Sequence, residues 1–280
     1  MEKCLVIVNT YKKSAHILAQ EVEDFLSIKK ISVVCIDFCG EITALPLEQI
    51  SFVITLGGDG TVLYAARECS KLDIPIFPIN LGEFGFIAGI QPDCWKTLLS
   101  QFLEKKEILA TRSLVIGTVF RNGKELISRN ALNDVVFSSK NPACIVSLCV
   151  KAANVSFGTF KADGVIVCTP TGSTAYSAAA GGPIVDPRLD ALILNPVSAF
   201  SLSNRPLVLP PEEVLSIEVL ASRNAQVVIS WDGQCHYDLV VGDVITVKKS
   251  EFSVRLAGCG SDTFYKALRS KLHWSGGPHA

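Results

Sequence analysis

Charge is scarce in this sequence. Only 19% of its 280 residues are Asp, Glu, Lys or Arg, and the formal net charge is -1. A balance so near neutral argues against the basic field that attracts nucleic acid and the polybasic patch that attracts an anionic membrane. There are only four histidines, and none of the ten cysteines forms a Cys-x-x-Cys pair, so no metal-ligand set is expected. Most cysteines lie in apolar runs such as "VVCIDF" and "VIVCTP". They read as small buried hydrophobes in a reducing compartment. No apolar run is long enough for a membrane helix. The run in "MEKCLVIVNT" stops at Asn9, too short for a signal peptide, so a cytoplasmic protein is expected. Internal repeats and low-complexity segments are also missing.

Hydrophobic side chains are abundant, at 49% of the chain. The length suits one large domain or two of ordinary size. The apolar surplus points to a large core or to surface buried between subunits.

The first third alternates strand and helix signals. "CLVIVN", "ISVVCIDF", "SFVITLGG" and "IPIFPIN" read as strands. Between them come an apolar helical stripe at 17, 18, 22, 25 and 26, a helix from about Thr61 to Lys71, and a helix in "CWKTLLSQFLEKK". Such alternation predicts an α/β domain with a parallel sheet, over residues 1–110. From 111 to 255 the texture is β-rich, with turn signals at Asn122-Gly123, Asp163-Gly164, Asp232-Gly233 and Gly242-Asp243, and one helix inserted after Thr169. The segment 256–280 predicts an amphipathic helix, capped by Ser261 or Asp262, that packs back on the first domain.

The stretch "FVITLGGDGTVLYAA" carries the first chemistry. A strand that ends in glycines and opens a helix presents free N–H groups and a helix dipole to a phosphate. Gly57, Gly58 and Gly60, with Thr61, make such a loop. It is neither a Walker A motif, since no Lys-Ser/Thr pair follows, nor the dinucleotide fingerprint, since Leu63 replaces its third glycine. Asp59 is the anomaly, because a carboxylate is repelled by a phosphate. It caps the helix, helps hold a divalent metal, or accepts a proton from a hydroxyl that attacks a phosphoryl group.

Three further stretches add to it. "TPTGSTAYSAAAGGPI" is almost all small residues after a strand, with hydroxyls at Thr171, Ser173 and Thr174 at an expected helix start, and Tyr176 able to stack on a base or nicotinamide. The alternative is tight helix packing. "ALNDVVF" breaks a strand with Asn133-Asp134, either a bulge or a carboxylate and amide for ribose hydroxyls and a base. "KADGVIV" sets Lys161 and Asp163 before the next strand, and by itself reads as a hairpin turn.

Together these residues resemble the NAD kinase family, which phosphorylates the 2′-hydroxyl of the adenosine ribose of NAD to give NADP. The resemblance rests on Gly57 to Gly60, "NLGEFGF" from Asn80 to Phe86, Asn133-Asp134, Thr169 to Pro183, "SNRPLVLP" and "KLHW". It spans nearly the whole chain in order. The GGDG loop is shared with diacylglycerol, sphingolipid and phosphofructokinases; the T-P-T-G-S-T-A-Y loop is far more specific. The resemblance implies an NAD kinase-like fold, related to the diacylglycerol kinase catalytic fold, with a site in the cleft between its domains. It implies Asp59 as proton acceptor, and NAD binding by Asp59, Gly60, Asn133, Asp134, Lys161, Asp163, Thr174, Ala175, Tyr176, Ser177, Ala178, Ala179 and Gln234. It further implies ATP or polyphosphate as donor, a divalent cation such as Mg²⁺, and a homodimer or homotetramer in which a neighbour completes each site. Lys161 stands where arginine is common and loses the bidentate fork; Cys144 stands at an often basic or polar position; Ala199-Phe200 replace a Pro-His pair. The alternatives are a lipid kinase on the same fold, which would need a membrane-facing surface, and a dinucleotide sensor, which would not need Asp59.

Overall fold

The computed structural model describes residues 2–41, 44–82, 85–106, 109–153, 155–201, 204–223 and 225–272. Glu83 and Phe84 of "NLGEFGF", Ser203 of "SNRPLVLP", and His273 and Trp274 of "KLHW" lie outside them. The chain forms two compact units, Met1–Arg112 with Ser253–Ala280, and Ser113–Phe252.

The first unit runs β1 (Lys3–Asn9), α1 (Ala15–Ile28), β2 (Ser32–Phe38), β3 (Phe52–Gly57), α2 (Asp59–Cys69), β4 (Ile76–Asn80) and α3 (Trp95–Leu103). The sheet order is β2-β1-β3-β4, all parallel. Every residue of β3 and β4 is buried, as expected of parallel strands covered on both faces. α1 turns Leu18, Val22 and Leu26 to the core, whereas Ile17 of the expected stripe is 68% exposed. At 100° per residue it points about 140° away from the centre of the face that the other three share. The chain leaves β1 toward β2 and returns to β3 on the other side. The C-terminal ends of β1 and β3, Asn9 and Gly57, therefore flank a topological switch point, where α/β sheets bind ligands.

The second unit is all but entirely β. Its elements are β5 (Ala110–Arg121), β6 (Lys124–Ala131), β7 (Asp134–Ser139), β8 (Val146–Ala152), β9 (Val155–Ala162), β10 (Gly164–Cys168), α4 (Tyr176–Ala179), β11 (Leu192–Val197), β12 (Leu207–Leu209), β13 (Val214–Val219), β14 (Val227–Trp231), β15 (Cys235–Asp238) and β16 (Val244–Leu256). One sheet of this unit contains β16-β13-β8-β9 with the β5–β6 hairpin; the other runs β12-β11-β10-β7-β14-β15. Inward residues from both, among them Val135, Phe137, Leu148, Ile217, Ile229 and Trp231, form one core. The Asn122-Gly123 turn has φ of 52° and 75°, the left-handed pair a two-residue hairpin requires.

Three expectations change. The helix after Thr169 is only a 3₁₀ turn, Gly172–Thr174, and the four-residue α4, because Thr169, Ser173 and Thr174 bond their side chains to local main chain. "KADG" is not a hairpin. β9 pairs with β8 and β10 with β7 and β11, so Asp163 is the corner where the chain changes sheets. Only Cys4, Cys69, Cys168 and Cys259 are buried; Cys35 is exposed on the edge strand β2, and Cys39 is exposed in the bend that follows it. All ten cysteines are free thiols.

The chain closes in the first unit with α5 (Ser261–Leu272), which buries Phe264 and Ala267. Among the described residues, no helix is long and apolar enough to cross a membrane.

Candidate active site

Packing dictates the glycine loop. A Cβ on Gly57 would stand 2.2 Å from Thr61 Oγ1 and 3.0 Å from Asn9 Cβ. That close approach admits Thr61 behind the loop, 1% exposed, where its hydroxyl accepts a 3.1 Å bond from Asn9 Nδ2. Thr61 thus supports the loop from inside. Gly57 O accepts from Leu81 N at 2.7 Å, tying the end of β3 to the turn after β4. Gly58, the N-cap of α2, faces open space, and Gly60 is exposed. Lys12, in the turn after β1, is half-buried, and its ammonium lies 3.2 Å from where a Cβ on Gly82 would be.

Asp59 is the first residue of α2, two positions earlier than the predicted start, and the N-cap is Gly58, which has no side chain to bond. Its side chain instead reaches the segment after β4. Oδ2 accepts from Phe86 N at 3.2 Å, and Oδ1 from Ala88 N at 3.0 Å and Ile87 N at 3.4 Å. Gly85 makes this possible, since a Cβ there would stand 2.0 Å from Asp59 Oδ1. The carboxylate is held in one place by main chain, and Oδ2, with one N–H bound, retains a lone pair for another donor. Among the described residues no three His, Cys, Asp or Glu side chains group as a metal site.

In the second unit, Asn133-Asp134 opens β7. Thr169 stitches the small-residue loop onto it: its N–H bonds Asn133 O at 2.9 Å, and its hydroxyl bonds Leu132 O at 2.6 Å. Gly172 lies so close that a Cβ would stand 2.0 Å from Asn133 O. The loop's hydroxyls are largely occupied within it. Ser173 Oγ donates to Pro170 O at 2.7 Å and accepts from Val185 N at 3.0 Å; Thr174 donates to Thr171 O at 3.1 Å; Ser177 is fully buried against Asn195. What remains presented are Tyr176 and Ala179, exposed, and Thr174, Ala175 and Ala178, partly so. α4 is too short for the helix-start anion site expected at Thr171 to Thr174.

Asp134 is 5% exposed, and burial pushes its carboxyl up to about 7, with the charge of Asp232 adding to the rise. Asp232, in sequence only half of a turn pair, lies against this corner with no local mark of that role. Its carboxylate accepts from Leu132 N at 3.0 Å, Asn133 N at 2.7 Å and Asp134 N at 3.2 Å, and its own N–H donates to Asp134 O at 2.9 Å. Gln234 completes the same turn, with its N–H on Trp231 O at 3.0 Å. Lys161 and Asp163 are both exposed at the corner between β9 and β10.

A glycine loop and fixed carboxylate at the switch point of a parallel sheet, followed in the chain by a β-sandwich with a buried carboxylate pair, define a two-unit phosphotransferase fold. Known proteins give the class its identity. A model described as the ATP-NAD kinase N-terminal domain matches residues 41–108, and one described as the ATP-NAD kinase C-terminal domain matches 132–258. The chain is 47% identical over 277 residues to an NAD kinase of Treponema denticola, covering 99% of this chain and 98% of that protein. It is 39% identical to an NAD kinase of Borreliella burgdorferi, over 96% of this chain and 99% of that one. Among solved structures, an Archaeoglobus fulgidus NAD kinase in complex with ATP aligns at TM-score 0.76 and 27% identity, over 96% of this chain and 97% of that one. A yeast NADH kinase complexed with NADH shares the fold at TM-score 0.85 and 21% identity, over 99% of this chain and 89% of that one. The chain belongs to the NAD kinase family.

Proposed function

We propose that the chain transfers the γ-phosphoryl group of ATP to the 2′-hydroxyl of the adenosine ribose of NAD, giving NADP. The observation that carries this is the carboxylate of Asp59, fixed on the first turn of α2 beside an open Gly58, in a chain of this family. Phosphoryl transfer needs positioned groups and balanced charge more than covalent chemistry. The main-chain N–H at the open start of α2, at Gly58, faces phosphate while the buried Gly57 supports the loop, and Asp59 Oδ2 takes the proton of the attacking hydroxyl through its remaining lone pair. Asn133, Asp134, Gln234 and the segment Thr174 to Ala179 hold NAD. Mg²⁺ would be held mainly by the nucleotide's phosphates with at most a carboxylate from the chain, and it supplies charge neutralisation when bound. A lipid kinase is not favoured, given relatives at 47% identity named NAD kinase, and a sensor has no use for Asp59. The test supplies purified protein with NAD, Mg²⁺ and either ATP or polyphosphate, and reads NADP with a coupled dehydrogenase. NADP formed with ATP supports the reading; none with either donor overturns it.

Lys161 and Asp163 complete the site of a neighbouring subunit in a homodimer or homotetramer. Both side chains are exposed, and β9, which leads to them, is a sheet edge carrying exposed Val155 and Phe157. Mixing Asp59→Asn with Asp163→Ala under subunit exchange then restores part of the activity. No recovery, or full activity in a strict monomer, refutes the shared site and leaves the kinase reading intact.

A further inference from the structure

Asp232 is a carboxylate in an unusual place. It is 9% exposed, at φ 54° in a three-residue turn between β14 and β15, and every hydrogen bond described above for its carboxylate comes from the main chain of Leu132, Asn133 and Asp134. A left-handed φ is uncommon outside glycine, though Asp tolerates it better than most. Here it turns the side chain back across the start of β7. Three N–H groups aimed at one carboxylate solvate a negative charge inside the protein. Asp134, the next carboxylate, is buried still more deeply.

We propose that Asp232 is a positioning residue for the dinucleotide site, holding the Asn133-Asp134 corner through its main chain and setting the charge that Asp134 presents to the ribose. This rests on the reading of Asp134 as a ribose ligand.

The electrostatics follow from what surrounds Asp134. Along β10 its partner is Cys168, whose thiol is pushed up to about 12 by burial first, with Asp134 adding, and so stays neutral. The loop from Thr169 to Thr174 carries no titratable group, and Gln234 is neutral. Among the described residues Asp232 is the charge that bears on Asp134; burial first, with Asp232 adding, raises its carboxyl to about 7. Near neutrality the carboxyl of Asp134 is therefore only partly ionised. A carboxylate that accepts ribose hydroxyls must first lose its proton. NAD binding therefore strengthens as pH rises through about 7 and releases a proton below it.

The experiment is NAD binding by calorimetry from pH 5.5 to 9, in two buffers of different ionisation enthalpy, with thermal unfolding alongside. Wild type should bind NAD about tenfold more weakly one pH unit below the midpoint than on its plateau. It should also release close to one proton per NAD there. Asp134→Asn should show neither effect. Asp232→Asn should bind NAD more weakly on the plateau, and its acid limb should move to lower pH, part of the way only, because burial of Asp134 remains. Asp232→Glu keeps the charge and should keep the limb in place. If Asp232→Asn does not fold, Asp232→Ser, with an acceptor but no charge, takes its place. An unmoved limb in the neutral variant, a limb surviving in Asp134→Asn, or a loss of thermal stability with unchanged NAD binding overturns the proposal. Failure of the kinase reading looks different: wild type neither binds NAD at any pH nor makes NADP, and the inference falls with it.

Discussion

Gly85→Ala removes nothing from the protein and should disable it. Gly85 is not at a positive φ, so an alanine meets no backbone penalty there. The cost is one contact. The new Cβ would stand 2.0 Å from Asp59 Oδ1 and 2.8 Å from its Cγ, over 1 Å inside ordinary van der Waals distance. The main chain around Gly85 is held by the bonds of Phe86 and Ala88 to Asp59, so the carboxylate must swing away and lose the bonds that fix it. Overpacking of this size costs about 1–3 kcal/mol. Each N–H left without its acceptor adds up to about 1–3 kcal/mol, less where water reaches it. A loss of about 2–4 kcal/mol is therefore expected in urea unfolding. Turnover should fall by about 10²–10⁴, the range for losing a positioned base. A double-mutant cycle isolates the cause. Asp59→Ala removes the atoms that the Cβ strikes, so Asp59→Ala/Gly85→Ala should be no less stable than Asp59→Ala alone, with a coupling equal to the whole Gly85→Ala loss, about 2–4 kcal/mol. Additive losses, or a Gly85→Ala protein with normal turnover, would refute the claim that Gly85 exists to seat this carboxylate.

Asp59→Asn should keep the fold and NAD affinity while losing about 10²–10⁴ in kcat, measured by the coupled assay; near-normal kcat would leave Asp59 as a tie for the loop and no more. Asp134→Ala should raise KM for NAD by the equivalent of about 1.5–3 kcal/mol with little change in kcat, because ribose hydroxyls are held alike in ground and transition states; an unchanged KM makes Asn133-Asp134 a purely structural corner. Asp243 is fully buried beneath a two-pronged bond from Arg121, at 2.7 and 2.8 Å. Its burial pushes the carboxyl up, but the Arg121 bond and the N–H of Val240 outweigh it and leave the carboxyl below its usual range. A depressed carboxyl adds stability above its unfolded value that disappears as pH falls through the folded one. Asp243→Asn should therefore lower Tm at neutral pH and flatten the loss of Tm that wild type shows on acidification; an unaltered acid slope refutes this.

Local pattern was enough for much of this protein. The run Phe52 to Leu56 before Gly57, with apolar residues on both sides of the strand, specifies a buried parallel strand, and Asn122-Gly123 specifies its hairpin, because each depends on a few adjacent residues. The order of the GGDG, Asn-Asp and T-P-T-G-S-T-A-Y motifs was sufficient to suggest the family. Other features depend on neighbours far along the chain. "KADG" has every local mark of a hairpin, yet its flanking strands pair elsewhere, since register is decided by which sheet buries each strand. The hydroxyls of Ser173 and Thr174 look available in sequence and are taken by main-chain groups, as buried polar atoms must be. Asp59 reads locally as a helix cap, but its partners lie 27 to 29 residues away. Asp232 reads as a turn residue, but its three N–H donors lie 98 to 100 residues away. Sequence alone determined which carboxylates this protein has and roughly which elements carry them. Only the tertiary structure decided which of them are buried and what each one holds, because burial and hydrogen-bond partners come from chain segments that local pattern does not connect.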